Sequence, residues 1–363
     1  MAFTTIDDPS AHFQVTEYAG AGGSSNISRT FDGNSDLQPD LTWHKSIGQT
    51  YDHYLFDSTR GVGLYLKSNA GVPDDGSSGD TTSLASFDSD GFTLAASQGI
   101  SDGSANIACF GWKANGGTRT TNTESGNNPG GGYQANTTAG FSIVDYTGTG
   151  GNGTMAHGLG KVPWCVFIKN RSSTDNDAWA IGNRGHSSSF AHPGKLNGTD
   201  AWTNTATPFN DSNPTDTVFT VGTDHRTNAD GETYIAYVWA PIKGFSHFGS
   251  FLGNGLADGP FVYTGFKPAW LLIKEDENAG GWTLWNHKSV AYNPIDKRLR
   301  ADANEAYDTS TSNHVDFLSN GFKMRTSSGG FNEDDRETVY MAFAHQPFVS
   351  SEGIPTTARW LKL

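Results

Sequence analysis

Apolar residues alternate with polar ones over short stretches of this chain, and Gly, Asn, Asp or Pro interrupts each stretch soon after it begins. Phe13-Gln14-Val15-Thr16-Glu17-Tyr18 and Asp216-Thr217-Val218-Phe219-Thr220-Val221 show the pattern. A period of two places alternate side chains on opposite faces of a strand, and close breaks favour antiparallel sandwiches over βαβ units. Some stretches are apolar at every position. In Trp164-Cys165-Val166-Phe167-Ile168, parity puts Val166 and Ile168 with Trp164, and Cys165 and Phe167 on the other face. Such a strand is buried on both sides, inside a sandwich or at a subunit interface. Helical patterning is scarce. The best candidate runs from Pro294 to Tyr307, with Leu299, Ala303 and Ala306, and a loop with a single turn fits it equally.

The pattern is written three times. Pro39-Asp40-Leu41-Thr42-Trp43-His44-Lys45, Pro163-Trp164-Cys165-Val166-Phe167-Ile168-Lys169 and Pro268-Ala269-Trp270-Leu271-Leu272-Ile273-Lys274 each start at a proline and end at a lysine. Proline suits a strand entrance, where no ladder donor is needed. An aromatic strand leading to a basic residue follows each: Tyr54 to Arg60, Trp179 to Arg184, and Trp282 to Lys288. Further on come strands around Phe92, Phe219 and Phe322, then closing strands aligned on Ala108, Ala236 and Ala342. Opening strands begin at Phe13, Phe141 and Phe245.

These anchors predict an all-β protein of three consecutive β-sandwich repeats, jelly-roll or lectin-like. Repeat one, with an N-terminal attachment segment, spans 1–114. A Gly, Asn and Thr-rich linker at 115–138 follows, then repeat two at 139–242, repeat three at 243–348 and a tail at 349–363. The linker composition predicts flexibility that sets repeat one apart, while Pro241-Ile242-Lys243-Gly244 joins the later pair tightly. The tail ends in Trp360-Leu361-Lys362-Leu363, whose apolar residues suit docking on a neighbouring subunit. Repeat one is expected to anchor and the later pair to display.

Composition agrees with this. The 363 residues include 45 glycines, while 22 Phe, 12 Tyr and 10 Trp supply enough apolar surface to argue against disorder. The formal charge of −14 repels a phosphate backbone, so nucleic acid is not an expected partner. The short basic run Lys297-Arg298-Leu299-Arg300 reads as solvated surface. Residues 1–9 carry no basic stretch followed by an apolar one, and no apolar run is long enough to span a bilayer. Neither secretion nor membrane insertion is expected. Cys109 and Cys165 sit in strand-like apolar settings and read as buried free thiols.

Candidate chemistry is sparse. No nucleophile elbow, HExxH or phosphate-binding loop occurs, and no enzyme activity, catalytic residue or cofactor is expected. Glu275-Asp276-Glu277 and Glu333-Asp334-Asp335 read as turn surface rather than as a glycosidase pair. His157, in a glycine setting, reads as a structural hydrogen-bonding group rather than a metal ligand. Asp32, Asn34 and Asp36 alternate oxygen ligands as a calcium loop does. Leu37 stands where an EF-hand needs its turn glycine and Trp43 where it needs the bidentate Glu, so an EF-hand is excluded and an Asx-turn is the plainer reading. Trp164, Trp179, Trp202, Trp270, Trp282 and Trp285 are candidates for sugar-stacking platforms, although most must be core.

The stretch Ala139-Gly140-Phe141-Ser142-Ile143-Val144-Asp145-Tyr146-Thr147-Gly148, continuing through His157-Gly158-Leu159-Gly160-Lys161-Val162-Pro163 to Ile168-Lys169-Asn170-Arg171-Ser172, resembles a family of Gly-rich marine bacteriophage virion proteins of the tail-fibre-like kind. The likeness extends to residues 1–8, 87–93 and 261–270 and so covers nearly the whole chain. It implies a place on a phage particle assembled in the host cytoplasm, with other virion proteins as partners and a homo-oligomer, such as a trimer. The expected role is a tail-fibre or receptor-binding component that attaches to the host surface, with a cell-surface glycan as one candidate partner. The alternatives are a capsid decoration, head-fibre or other structural tail protein, and a glycan-degrading tail spike.

Overall fold

The structure is a computed structural model that describes residues 3–20, 22, 26–76, 83–95, 99–103, 105–310, 312–327 and 330–356. In the first unit lie β1 (Phe13–Ala19), β2 (Ile27–Arg29), β3 (Leu41–Ser46), β4 (His53–Asp57), β5 (Gly61–Leu66), β6 (Asp75–Gly76), β7 (Leu84–Asp88), β8 (Gly91–Leu94) and β9 (Asn106–Trp112). The second has β10 (Thr120–Asn122), β11 (Gly130–Asn136), β12 (Phe141–Thr147), β13 (Gly153–Ala156), β14 (Cys165–Asn170), β15 (Ala180–Asn183), β16 (Val218–Val221) and β17 (Thr233–Trp239). The third has β18 (Ser246–Leu252), β19 (Phe261–Tyr263), β20 (Phe266–Glu275), β21 (Thr283–Asn286), β22 (Leu299–Arg300), β23 (Val315–Leu318), β24 (Gly321–Met324) and β25 (Glu337–Pro347). The protein is an all-β sandwich fold, and the one α-helix among the described residues, α1 (His225–Asn228), is a single turn capped by Asp224.

The same connectivity recurs in the three large sheets. Their orders are β1-β9-β3-β4-β5-β6, β10-β11-β12-β17-β14-β15 and β18-β25-β20-β21-β22. In each, the closing strand lies between the opening strand and the lysine-ending strand. A smaller sheet backs each one: β2-β8-β7, β13-β16 and β19-β24-β23. Phe92, Phe219 and Phe322 stand on these smaller sheets with no exposed surface.

Both faces of the large sheets are covered, as the two-sided apolar strands require. Val166 and Ile168 enter a core private to the second unit, with Phe219 and Tyr234. Cys165 and Phe167 enter a core shared by all three units. Trp164 departs from the parity expectation: it precedes β14 and packs against the shared core instead. In the first unit, Phe56, Phe92 and Cys109 fill a private core, while Trp43, Phe110 and Trp112 face the shared one. Trp112 lies 6.2 Å from Trp239 of the second unit and 5.7 Å from Trp270 of the third, centroid to centroid. Burying each such aromatic contributes roughly 1.5–3 kcal/mol. The expectation that repeat one stands apart is therefore corrected, because its large sheet supplies part of a core that all three units own.

Composition misled at 115–138 as well. Residues 120–122 and 130–136 are strands, and β11 pairs along β12 from Gly130↔Thr147 to Asn136↔Phe141. Glycine permits this close approach: a Cβ at Gly131 would lie 2.0 Å from the Asp145 carbonyl oxygen. The helical candidate at 294–307 is not helical; it carries β22 and turns. The C-terminal Trp360-Leu361-Lys362-Leu363 lies outside the described residues.

Register corrects the alanine alignment too. Lys45 pairs with Ala108, Lys169 with Ile235 and Lys274 with Val339. Ala108 thus faces the shared core and Ala236 the private one, because a one-residue slip exchanges faces. The lysines and the aromatics Trp112, Trp239 and Phe343 are the true equivalents.

Candidate binding groove

Three seams join the units into a closed ring, built each time from the same parts. Opposite or beside each buried lysine stands a ring side chain: His53, Trp179 and Trp282. Trp179 Nε1 donates to the Lys67 carbonyl at 2.9 Å, Trp282 Nε1 to the Lys195 carbonyl at 2.7 Å, and His53 Nε2 to the Arg300 carbonyl at 2.9 Å. Trp43 Nε1 donates to His53 Nδ1, which leaves the His53 proton on Nε2. Each ring residue's own amide is held by a side chain two positions after those carbonyls: Asn69, Asn197 and Asp302. Lys169 and Lys274 reach across the seams to the carbonyls of Gly71 and Thr199. Burial lowers the pKa of Lys45, Lys169 and Lys274 to about 8 each. The sequence signal for the seams was a further anchor, a cation followed two residues later by Asn or Asp: Lys67-Ser68-Asn69, Lys195-Leu196-Asn197 and Arg300-Ala301-Asp302.

The candidate residues do not assemble into a reaction centre. Asp32, Asn34 and Asp36 are exposed, and Asp32 is paired with Lys288 at 2.6 Å. His157 is buried; its Nδ1 accepts from the Leu159 amide and its Nε2 lies 3.2 Å from the Thr215 carbonyl. Burial lowers its pKa to about 4. Cys109 and Cys165 are buried and unpaired. Cys109 lies 3.8 Å from His44 Nε2, but burial raises the thiol pKa and lowers that of His44 to about 3. A pair so enclosed has no route for substrate and lacks the thiolate that chemistry needs.

Three expectations fail on burial. Glu275 and Asp276 lie inside a seam rather than on a surface turn, because β20 runs on through Glu275. Trp179, Trp202, Trp270, Trp282 and Trp285 are all buried, and Trp164 is only partly exposed, so none is an open sugar platform. Nor is the basic run 297–300 plain solvated surface: Leu299 is buried, Arg298 and Arg300 pair with Asp308 and Asp302, and Arg300 supplies a seam carbonyl.

Among the described residues one group has the composition of a metal site: His186, Asp276 and Glu337, at the seam of the second and third units. Its hydrogen bonds argue for a different role. His186 Nδ1 accepts from the Ser188 amide at 2.9 Å, so the proton sits on Nε2 and points to Asp276 at 2.5 Å. A ring with Nδ1 already accepting and Nε2 protonated offers a cation no lone pair. Glu337 accepts from the Ser187 amide. The trio is a polar clasp between units.

An open concavity lies instead on the third unit, where 241–249 meets the turn after β19 and the end of β25. Its volume is about 410 Å³. Phe3, Lys243, His247, Tyr263, Phe348 and Val349 line it, and among the described residues no carboxylate does. Gly244 and Gly265 both have positive φ, at 78° and 83°, conformations that glycine adopts without strain. They turn the chain sharply at either side of the groove. Lys243 Nζ sits 5.5 Å above the Phe3 ring. His247 packs flat on Tyr340 at 5.8 Å, with its Nδ1 2.7 Å from the Tyr340 hydroxyl, and burial lowers its pKa.

Phe261 and Tyr263 point outward from the edge strand β19, at 44% and 59% exposure, while Val262 points in. The other units provide a control within the chain. Pairing places Ser28 and Thr154 at the position of Phe261, and Thr30 and Ala156 at that of Tyr263. The fold builds this strand with small side chains twice and with aromatics once. Sandwich stability therefore does not require them, and exposed aromatics beside a groove mark an interaction site.

No curated protein and no solved structure matches this chain. A family model described as "Domain of unknown function (DUF7483)" matches residues 8–347. A chain matched over nearly its entire length by that model belongs to the DUF7483 family.

Proposed function

We propose that the chain is a bacteriophage virion protein, a tail-fibre or receptor-binding component that attaches the particle to its host through the groove of the third unit. The observation that carries this reading is the internal contrast on β19, where only one unit exposes aromatics. The resemblance to Gly-rich virion proteins supports the setting. A rigid three-unit body that presents one differentiated surface suits recognition, because the scaffold fixes the ends of the loops that bind. The test is adsorption: particles lacking the protein, and particles carrying Tyr263→Ala with Phe261→Ser, should adsorb less. Unchanged adsorption across hosts rejects the reading.

The ring favours one second reading, a capsid decoration or other structural component. Three equivalent units closed around an axis match a three-fold position on a particle with a single chain. A low-resolution particle map separates the two, since copies on the capsid lattice point to decoration and copies at the tail tip to attachment.

A further inference from the structure

We infer that the third unit carries a second site, at the start of β20, which takes a tetrahedral oxyanion, a sulfate or phosphate group, on the Lys267 ammonium and the imidazoles of His287 and His345. This site shares no lining residue with the groove and does not depend on the attachment reading.

The strands that build it are an addition peculiar to the third unit. With the seam lysines aligned, β20 starts four residues before the position at which β3 and β14 start. Its partner β25 runs past Phe343 to Pro347, whereas β9 and β17 end at the equivalent Trp112 and Trp239. Lys267 stands on this extension. Opposite it the ladder breaks register: Lys267 pairs with Gln346 but Pro268 with Ala344, so His345 is the extra residue of a β-bulge, a device that re-aims a side chain. His345 lies 4.5 Å from His287, centroid to centroid. In the other units Arg184 and Ser58 hold the place of His287, and Pro241 and Ala114 that of His345, so the sandwich does not require the pair.

The charges favour an anion. Lys267 and His287 line a concavity of about 230 Å³ with Val290, Tyr292 and Phe317, and among the described residues no carboxylate lines it. Neither the Lys267 ammonium nor either imidazole has a hydrogen bond or ion pair among the described residues. The histidines also face the first unit, where both acids are engaged. Asp32 pairs with Lys288 at 2.6 Å, and Asp8 accepts from the Ser10 amide and from the Ser10 and Ser35 hydroxyls. Burial, then Lys267 and Lys288, lower the pKa of His345 to about 4; burial, the His345 ring and the same lysines lower that of His287 to about 2. Both rings are therefore neutral at pH 7, and each has an N–H to donate. Three unengaged donors, one of them a cation, are complementary to an anion. The same ammonium repels a metal ion from the imidazole lone pairs. The volume lies below the range of drug-sized ligand sites and suits a single oxyanion, while Tyr292, 85% exposed at its rim, offers a ring to whatever carries it.

The experiment is calorimetric titration of the full chain with sodium sulfate and with galactose 6-sulfate, at ionic strength held fixed with sodium chloride. Lys267→Gln should weaken both probes by about ten-fold and Lys267→Arg should retain them. Sulfate keeps its charge between pH 7 and 5.5, so a pH effect reports the protein. Binding favours the protonated ring, and affinity should rise by about three-fold over that range. His345→Gln should abolish the rise, a result that a merely structural histidine does not produce. Each variant's melting temperature verifies folding. A sugar ester that binds more tightly than sulfate, with the difference lost in Tyr292→Ala, supports an ester as the source of the group; equal affinities support the free ion. No sulfate binding above that of chloride overturns the inference, as does binding indifferent to Lys267→Gln. A melting temperature raised by zinc chloride and not by sulfate also overturns it, because the histidines are then metal ligands.

Discussion

Replacing Lys169 by Met tests the seam chemistry directly. Lys169 Nζ donates to the Gly71 carbonyl at 2.8 Å and to the Asn170 carbonyl at 2.7 Å, with the side chain wholly buried. Leaving each carbonyl unpaired costs about 1–3 kcal/mol, for a loss of roughly 2–6 kcal/mol. Against this, the ammonium is held at a penalty. Burial lowers its pKa from 10.5 to about 8, which corresponds to about 3 kcal/mol disfavouring the charged form at pH 7. Methionine removes that penalty, so the net effect at pH 7 lies between about 1 kcal/mol of stabilisation and about 3 kcal/mol of destabilisation. The sign of the pH dependence is the sharper test. Between pH 8 and 10.5 the unfolded chain holds the proton and the folded one does not, so the wild type gains stability with rising pH. The variant lacks this gain. The wild type should therefore gain about 2 kcal/mol relative to the variant between pH 8 and 9.5. Lys45 and Lys274 are common to both proteins and cancel. Urea denaturation at the two pH values measures the difference, and a wild type that gains nothing on the variant refutes the account of the lysine as a buried cation bonded to carbonyls.

Further outcomes follow from the same geometry. Trp282→Phe should cost about 1 kcal/mol more than Trp112→Phe in chemical denaturation, because the Trp282 indole donates across a seam whereas that of Trp112 has no partner. Asp57→Asn should destabilise by about 1.5–3 kcal/mol, since it removes one of the two carboxylates on the buried Arg60 guanidinium, 2.5 Å away, while Asp74 stays at 2.8 Å; a loss under 1 kcal/mol contradicts this. Acid should unfold the protein. Burial lowers the pKa of His44 and His53 to about 3 and of His157 and His345 to about 4, so between pH 6.5 and 4 the unfolded chain binds protons that the folded chain refuses. Each histidine then removes about 1.4 kcal/mol per pH unit as pH falls, and a melting temperature flat from pH 6.5 to 4.5 refutes it.

The sequence by itself determined the local elements and their recurrence. Alternation marked the strands, glycine and proline marked the breaks, and the prolines, lysines and aromatic strands recur in one order because each large sheet uses them at the same places. The two-sided strand at Cys165–Ile168 even announced that both faces would be covered, although not by what. The tertiary structure decided the rest, because it depends on contacts between residues far apart in the chain. A gly-rich segment joins a sheet as β11 only because β12 offers a free edge, and glycine composition alone cannot distinguish that from a linker. The alanine alignment failed because register is fixed by which face is buried, not by identity at one position. Tryptophan reads alike as core or as sugar platform until burial is known, and the shared core claimed nearly all of the candidates. The groove was invisible for the converse reason: Phe261 and Tyr263 look like ordinary strand aromatics until pairing aligns them with Ser28, Thr30, Thr154 and Ala156.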